Sequence, residues 1–204
     1  RNPDYEVLLD PENLIDYMLV IFYGGNLDAP ITSFGANRSA NNWYGIRNQN
    51  GVEGFRYYVW DAEHTFLKIS EDRTGPYPAG DDYPRSNPQW IWQQCLHNPE
   101  FRMLVADRVH RHFNHGGALT PESVASLLSQ RVAKLRLAVI GESARWGDPH
   151  RSNWAPPARG ASDNRPRTLD DDWQPEVDRW FSEYIPARPE VVVDQLWKHG
   201  LIPD

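Results

Sequence analysis

An α+β chain, mainly helical and carrying one small β-hairpin, is the fold class this sequence predicts, on three observations. Apolar residues recur at three-and-four spacing through several long segments. Two aromatic, β-prone runs, Trp43–Arg47 and Phe55–Trp60, flank a polar stretch containing Asn50-Gly51. Clusters of Gly, Pro and Asn separate these segments, and no internal repeat or low-complexity tract is visible. A length of 204 residues suits a single lobe, residues 1–204, able to bury a core without disulfide staples.

The first helix is signalled by Asp10 as N-cap and Pro11 at the first helical position, with Leu14, Ile15, Met18, Leu19 and Phe22 on one face and Gly24-Gly25 as the stop. Residues 26–42 are polar and hold Pro30, Gly35 and several Asn, so a long surface loop is expected, a length usually kept for function. The hairpin follows, with its turn expected at Asn50-Gly51. Residues 68–88 carry four Pro among charges and glycines, and predict an irregular, mobile segment. Asn98-Pro99-Glu100 opens a helix with Phe101, Leu104, Val105, Val109 and Phe113 as its stripe, closed by Gly116-Gly117. Thr120-Pro121-Glu122 opens a longer one, with Val124, Leu127, Leu128, Val132, Leu135 and Val139 predicted on one buried face. Residues 149–167 read as a loop, and two short helices, 172–184 and 188–199, end the chain before Gly200.

Composition narrows the function classes. A net charge of −7 with scattered Arg residues argues against a nucleic-acid partner, because phosphate backbones are met by concentrated basic faces. No apolar run reaches the roughly 18 residues of a membrane span, and the most apolar stretch is interrupted by Asp16. Cys95, the single cysteine, makes no internal disulfide. Nine Trp fit either a core of large rings or an exposed platform for sugars. The chain opens on Arg1, as expected of a processed or excised form with sequence missing upstream.

Three residues stand out by placement: Asp28 just after the first helix, Asn42 just before the first hairpin strand, and Asp61 just after the second. Phosphoryl transfer needs a carboxylate to orient the attacking hydroxyl and an oxygen-rich pair to hold a divalent cation against nucleotide phosphates. Protein kinases supply these groups in the chain order Asp, Asn, Asp, in the same element context. Their first two residues lie about five positions apart, whereas Asp28 and Asn42 are 14 apart, so an inserted loop must fold aside. Asn41 is an equal candidate to Asn42 on chemistry alone, and Glu63 lies within reach of the same ion or is solvated. Asp61, following an aromatic strand, is expected near the interior, where a carboxylate needs a cation or several donors.

Other clusters favour structural readings. Of His110, His112 and His115, only the last two share a helical face, and no further ligand completes a zinc set. Surface imidazoles at a helix C-terminus are expected instead. In 143–148 the expectation is a buried Trp146, Arg145 paired with Asp148, and Gly147 as a left-handed cap.

The segments Leu27-Asp28, Asn41-Asn42-Trp43-Tyr44 and Val59-Trp60-Asp61-Ala62-Glu63-His64-Thr65-Phe66 resemble the motifs of CotH-type (spore coat protein H-type) atypical protein kinases. Those kinases occur in bacterial spore coats and in secreted bacterial proteins. Asn98-Pro99-Glu100-Phe101-Arg102, Gly116-Gly117-Ala118-Leu119-Thr120-Pro121, Glu142–Asp148 and Gly200-Leu201-Ile202-Pro203 are similar to bacterial members, so the resemblance spans about residues 10–204. It implies a kinase-like C-terminal lobe, with Asp28 as the catalytic Asp and Asn42 and Asp61 as ligands for Mg²⁺ or Mn²⁺ and the bound ATP. It further implies a nucleotide and a hydroxyl-bearing acceptor, protein or other, as partners, and a secreted, envelope or spore-coat location. Asp61 is followed by Ala62-Glu63, so the DFG glycine and its backbone flip are not implied. No lysine-bearing or phosphate-covering lobe precedes residue 10, and on that ground the isolated chain is expected to transfer little phosphate. Two rival readings stand beside the kinase: a glycan-binding module with structural Ca²⁺, and a coat or envelope protein that keeps the fold without catalysis.

Overall fold

The computed structural model describes residues 4–77, 87–147 and 165–202. They form an α+β structure dominated by helices, with two small antiparallel sheets. The chain groups into two compact units, Arg1–Thr120 with Ala187–Asp204, and Pro121–Pro186.

The first unit is built around α1, Pro11–Gly24. Asp10 caps it by accepting from the Asn13 N–H at 3.1 Å, Pro11 starts it, and Gly25 ends it at φ 57°, where a residue without Cβ adopts the left-handed conformation freely. Leu14, Ile15, Tyr17, Met18, Leu19, Ile21, Phe22 and Tyr23 are all buried, so α1 is enclosed on nearly every side. Its polar residue Asp16 is held by the Arg108 guanidinium and by His112 Nε2 at 2.9 Å, both on α3, Pro99–Phe113. His112 is therefore a half-buried tie to α1 and not the surface imidazole expected, because Asp16 supplies the anion opposite it. Phe101, Val105, Val109 and Phe113 form the buried stripe of α3, while Leu104, expected on it, is only half-buried.

Residues 26–42 depart from the expected surface loop. Asn26, Asp28, Ala29, Pro30 and Ile31 are buried, and the segment folds back on itself as β1, Ile31–Thr32, against β2, Ser39–Ala40. The backbone groups of a buried loop must find partners, and this ladder with the contacts below supplies them.

The hairpin is present as β3, Trp43–Ile46, and β4, Arg56–Val59, with Tyr44 opposite Tyr58. Its turn is longer than an Asn-Gly hairpin: Asn48 organises it, accepting from Asn50 N at 3.0 Å through the side chain and from Gly51 N at 3.1 Å through the backbone. Asp61, just past β4, is exposed rather than near the interior, since Tyr58, Val59 and Trp60 already lie at the surface.

The expected mobile segment is anchored at residues 68–77, its first described stretch. Arg73 and Thr74 are buried, and Arg73 donates to Asn37 Oδ1 at 3.0 Å and to the Ile31 carbonyl. Residues 78–86 lie outside the described residues. A further helix that the sequence reading left out, α2, Pro88–Cys95, places Trp92 against Phe22 and Phe101, each ring edge-on at 5.7 Å.

In the second unit, α4, Pro121–Trp146, has no buried residue, so the buried face predicted for it is not formed; Leu127 and Leu135 are exposed, and Val124, Leu128, Val132 and Val139 are half-covered. Arg136 on α4 donates to Gln174 Oε1 at 2.7 Å. Trp146 is exposed and lies under the Arg145 guanidinium at 4.9 Å, a cation–π contact in place of burial. Gly147 is not left-handed; glycine is required there because a Cβ would stand 2.3 Å from the Ser143 carbonyl oxygen and 2.5 Å from that of Arg167. Asp148, expected to pair with Arg145, and most of the loop 149–167 lie outside the described residues.

The two C-terminal helices are one helical run: a π-helical turn Leu169–Trp173, α5 Gln174–Arg179, a second π-helical turn Trp180–Tyr184, and α6 Ile185–Lys198. Proline explains why no break falls where the sequence suggests one. The Ile185 N–H reaches back five residues to the Trp180 carbonyl, and this wider turn carries the helix past Pro186, which has no N–H to donate.

Candidate active site

The three residues singled out by placement come together in the first unit. Asp28 follows the left-handed Gly25, and its backbone N–H donates to Asn26 Oδ1 at 2.8 Å, an Asx turn that fixes the direction of the carboxylate. Asp28 is only 9% exposed. Its Oδ2 accepts from Asn41 Nδ2 at 2.9 Å and from Asn42 Nδ2 at 2.8 Å. Both asparagines thus donate to the same carboxylate oxygen. Asn42 Nδ2 also lies 3.4 Å from the Asp61 carbonyl oxygen, so the two ends of the hairpin close on each other beside Asp28.

Backbone conformation makes this approach feasible. Asn42 and Asp61 both sit at φ 48°, a left-handed conformation in which Asn and Asp are enriched. The turn leaving Asp61 is held by Thr65 Oγ1, which donates to the Ala62 carbonyl at 2.9 Å. The segment is then stitched to the Asp28 loop twice: Leu27 N donates to the His64 carbonyl at 3.1 Å, and Phe66 N to the Gly24 carbonyl at 2.8 Å.

This stitching brings Glu63 and His64 to Asp28. One ligand atom from each of the three lies within 4.8 Å of the others, and theirs is the one such group of three among the described residues. That spread suits a divalent cation, whose ligands at about 2.1–2.6 Å span about 4–5 Å when opposed. Glu63 Oε1 and His64 Nε2 are 3.1 Å apart, and the Phe34 ring meets the imidazole edge-on at 4.8 Å, fixing its plane. Two carboxylates and one imidazole form a donor set able to hold a divalent cation. His64 was not separated from its neighbours by sequence reasoning; the available signal was its place directly after Glu63 in a short turn.

A row of exposed rings borders the site on the hairpin. Tyr44 stacks on Tyr58 with centroids 5.5 Å apart, and Trp60, next to Asp61, meets Tyr44 edge-on at 6.1 Å.

A buried carboxylate fixed by two amides thus stands beside a carboxylate–imidazole cluster at the end of a hairpin. The chain belongs to the CotH kinase protein family, whose family model matches residues 2–192. No curated protein and no solved structure matches the chain. Among the described residues no helix is long and apolar enough to cross a membrane.

Proposed function

We propose that this chain carries the catalytic and cation-holding residues of a CotH kinase that transfers phosphate from ATP to a hydroxyl acceptor. The observation supporting this most directly is the pair of amide bonds from Asn41 and Asn42 to Asp28 Oδ2. A carboxylate whose one oxygen is occupied by two neutral donors presents the other, Oδ1, in a fixed direction. Asp28 then orients the acceptor hydroxyl and takes its proton as that oxygen bonds to the γ-phosphorus and the bond to the departing ADP oxygen breaks.

Glu63 and His64, with Asp28 beside them and Asn42 and Asp61 at the hairpin ends, are the residues that would hold Mg²⁺ or Mn²⁺; the cation would neutralise charge on the nucleotide phosphates. Asn42 has two roles on this reading. Its amide nitrogen fixes Asp28, while its amide oxygen is left for the cation. Family membership supports nucleotide use in general, and a spore-coat, envelope or secreted setting belongs to the same proposal.

The test is transfer of the γ-phosphate of ATP by the natural full-length protein, with Mn²⁺ or Mg²⁺, to a generic protein acceptor and to itself. Asp28→Asn should lower turnover by about a hundredfold or more while leaving nucleotide affinity within about threefold, since the carboxylate acts in the transition state. Equal turnover by wild type and Asp28→Asn would remove Asp28 from catalysis.

A further inference from the structure

Two chain segments build the candidate site. One runs from the end of α1 through Asp28; the other runs from Asp61 through His64 to residues 69–72. Both are gripped by a single residue far along the chain. Arg188 on α6 is fully buried, and its Nε donates to the Tyr23 carbonyl at 3.0 Å while Nη2 donates to the Phe22 carbonyl. Both are carbonyls of the last turn of α1, where the Phe22 carbonyl also accepts from Gly25 N at 3.1 Å. The opposite side of the same guanidinium reaches the second segment: Nη1 donates to the Ile69 carbonyl and Nη2 to that of Glu71 at 2.8 Å.

The rest of that helix face continues the grip. Gln195 Nε2 lies 3.2 Å from both the Ser70 and Glu71 carbonyls, and His199 Nε2 lies 3.0 Å from Asp72 Oδ2. Residues 188, 195 and 199 recur at helical spacing, with Val192 and Leu196 buried among them. The polar stripe of α6 thus runs along residues 69–72, and at its head one planar fork spans both segments.

We infer that Arg188 is a positioning residue for the candidate site: its guanidinium fixes the separation between the Asp28 loop and the Glu63–His64 turn. A guanidinium can do this because its donors point in several fixed directions within one plane; an ammonium at the same place is a point charge on a flexible stem and cannot bridge four carbonyls on two segments. Loss of the fork frees the two segments to separate at the bonds that join them, Leu27 to His64 and Phe66 to Gly24. The inference rests on the kinase reading for its functional consequence, but its structural content does not.

The experiment uses Arg188→Lys in the natural full-length protein, with Val105→Ala, a buried site on α3 away from both segments, as a destabilising control. Amide hydrogen exchange without nucleotide is read at Leu27 and Phe66 against Leu19 in the middle of α1. The expected result is exchange at Leu27 and Phe66 faster by about tenfold relative to Leu19 in Arg188→Lys, with an unchanged ratio in Val105→Ala. Phosphate transfer per folded molecule should fall about tenfold in kcat for Arg188→Lys and stay at the wild-type level for the control. A wild-type exchange ratio in Arg188→Lys overturns the inference whatever the activity. A shifted ratio in Arg188→Lys, found together with a wild-type protein that transfers no phosphate, sinks the kinase reading and leaves the clamp standing. If Arg188→Lys does not fold, Gln195→Leu is read the same way, with a smaller shift expected and no shift overturning it.

Discussion

Asn42 donates its side-chain amide to Asp28 Oδ2 at 2.8 Å from a backbone held at φ 48°. Conformation and chemistry are therefore satisfied by one residue type. Alanine at position 42 loses the amide and strains the backbone; glycine loses the amide alone.

The first prediction separates these effects. Asn42→Ala should unfold at lower denaturant than Asn42→Gly, by on the order of 1 kcal/mol, while both lose the same share of phosphate transfer. Urea titration and turnover on one set of samples check it. Glycine restoring turnover as well as stability would mean that only the backbone at 42 matters.

The second prediction concerns which carboxylate holds the cation. Asp61 is exposed at the end of β4, whereas Glu63 lies with His64 and Asp28 within 4.8 Å. Manganese binding, followed by electron paramagnetic resonance, should weaken about tenfold or more in Glu63→Gln and in Asp61→Asn, because hard cations need anionic oxygen. Unchanged affinity in Asp61→Asn, with loss in Glu63→Gln, would move the site from Asp61 to the Glu63–His64 turn.

A third prediction follows from Tyr77. Burial pushes its phenol up to about 12, with the Arg73 guanidinium acting in the opposite direction. A phenol that holds its proton more tightly when folded stabilises the fold fully below the ordinary value near 10, and that contribution is lost as pH rises towards 12. Urea unfolding should therefore show stability falling by on the order of 2 kcal/mol between pH 9.5 and about 12. In Tyr77→Phe the fall should be smaller, and an identical fall would show that Tyr77 is not its source.

Packing gives the fourth. A Cβ on Gly54 would stand 2.3 Å from the backbone of Leu9, where the chain before α1 runs beside the hairpin and Phe55 N donates to the Leu8 carbonyl at 2.9 Å. Backbone cannot yield as a flexible side chain does. Gly54→Ala should lower stability by on the order of 2 kcal/mol, read as a drop in the thermal midpoint. Gly116→Ala meets no atom within 4 Å, though it strains a positive φ, and serves as the comparison for strain without a clash.

Much of this fold is legible in the sequence where local chemistry and packing agree. Asp10-Pro11 and Gly24-Gly25 bracket α1, and Asn98-Pro99 opens α3 with its stripe buried except at Leu104. Long-range relations are less legible. The stretch 26–42 is polar in composition yet buried in its first half, because its polar groups bond to one another and to Arg73. Likewise the apolar spacing of α4 predicts a buried face, but spacing alone does not say whether enough neighbouring surface exists to cover it. Asp28, Asn42 and Asp61 could be singled out because each sits at an element boundary. Arg188 could not be found that way, although a lone Arg on the helix stripe of Val192 and Leu196 was a sign that its charge must be satisfied indoors.

The grip of Arg188 on Phe22 and Tyr23 also sets a schedule. Those carbonyls leave the ribosome with the first helix, but their donor lies 165 residues downstream of Tyr23. At about 5–20 residues per second, the nascent chain waits on the order of ten to thirty seconds before that donor exists. Through this interval water stands in for the guanidinium at the end of α1, where the Phe22 carbonyl keeps only its local bond from Gly25 N. The clamp that joins the two segments therefore closes only after α6 has been made.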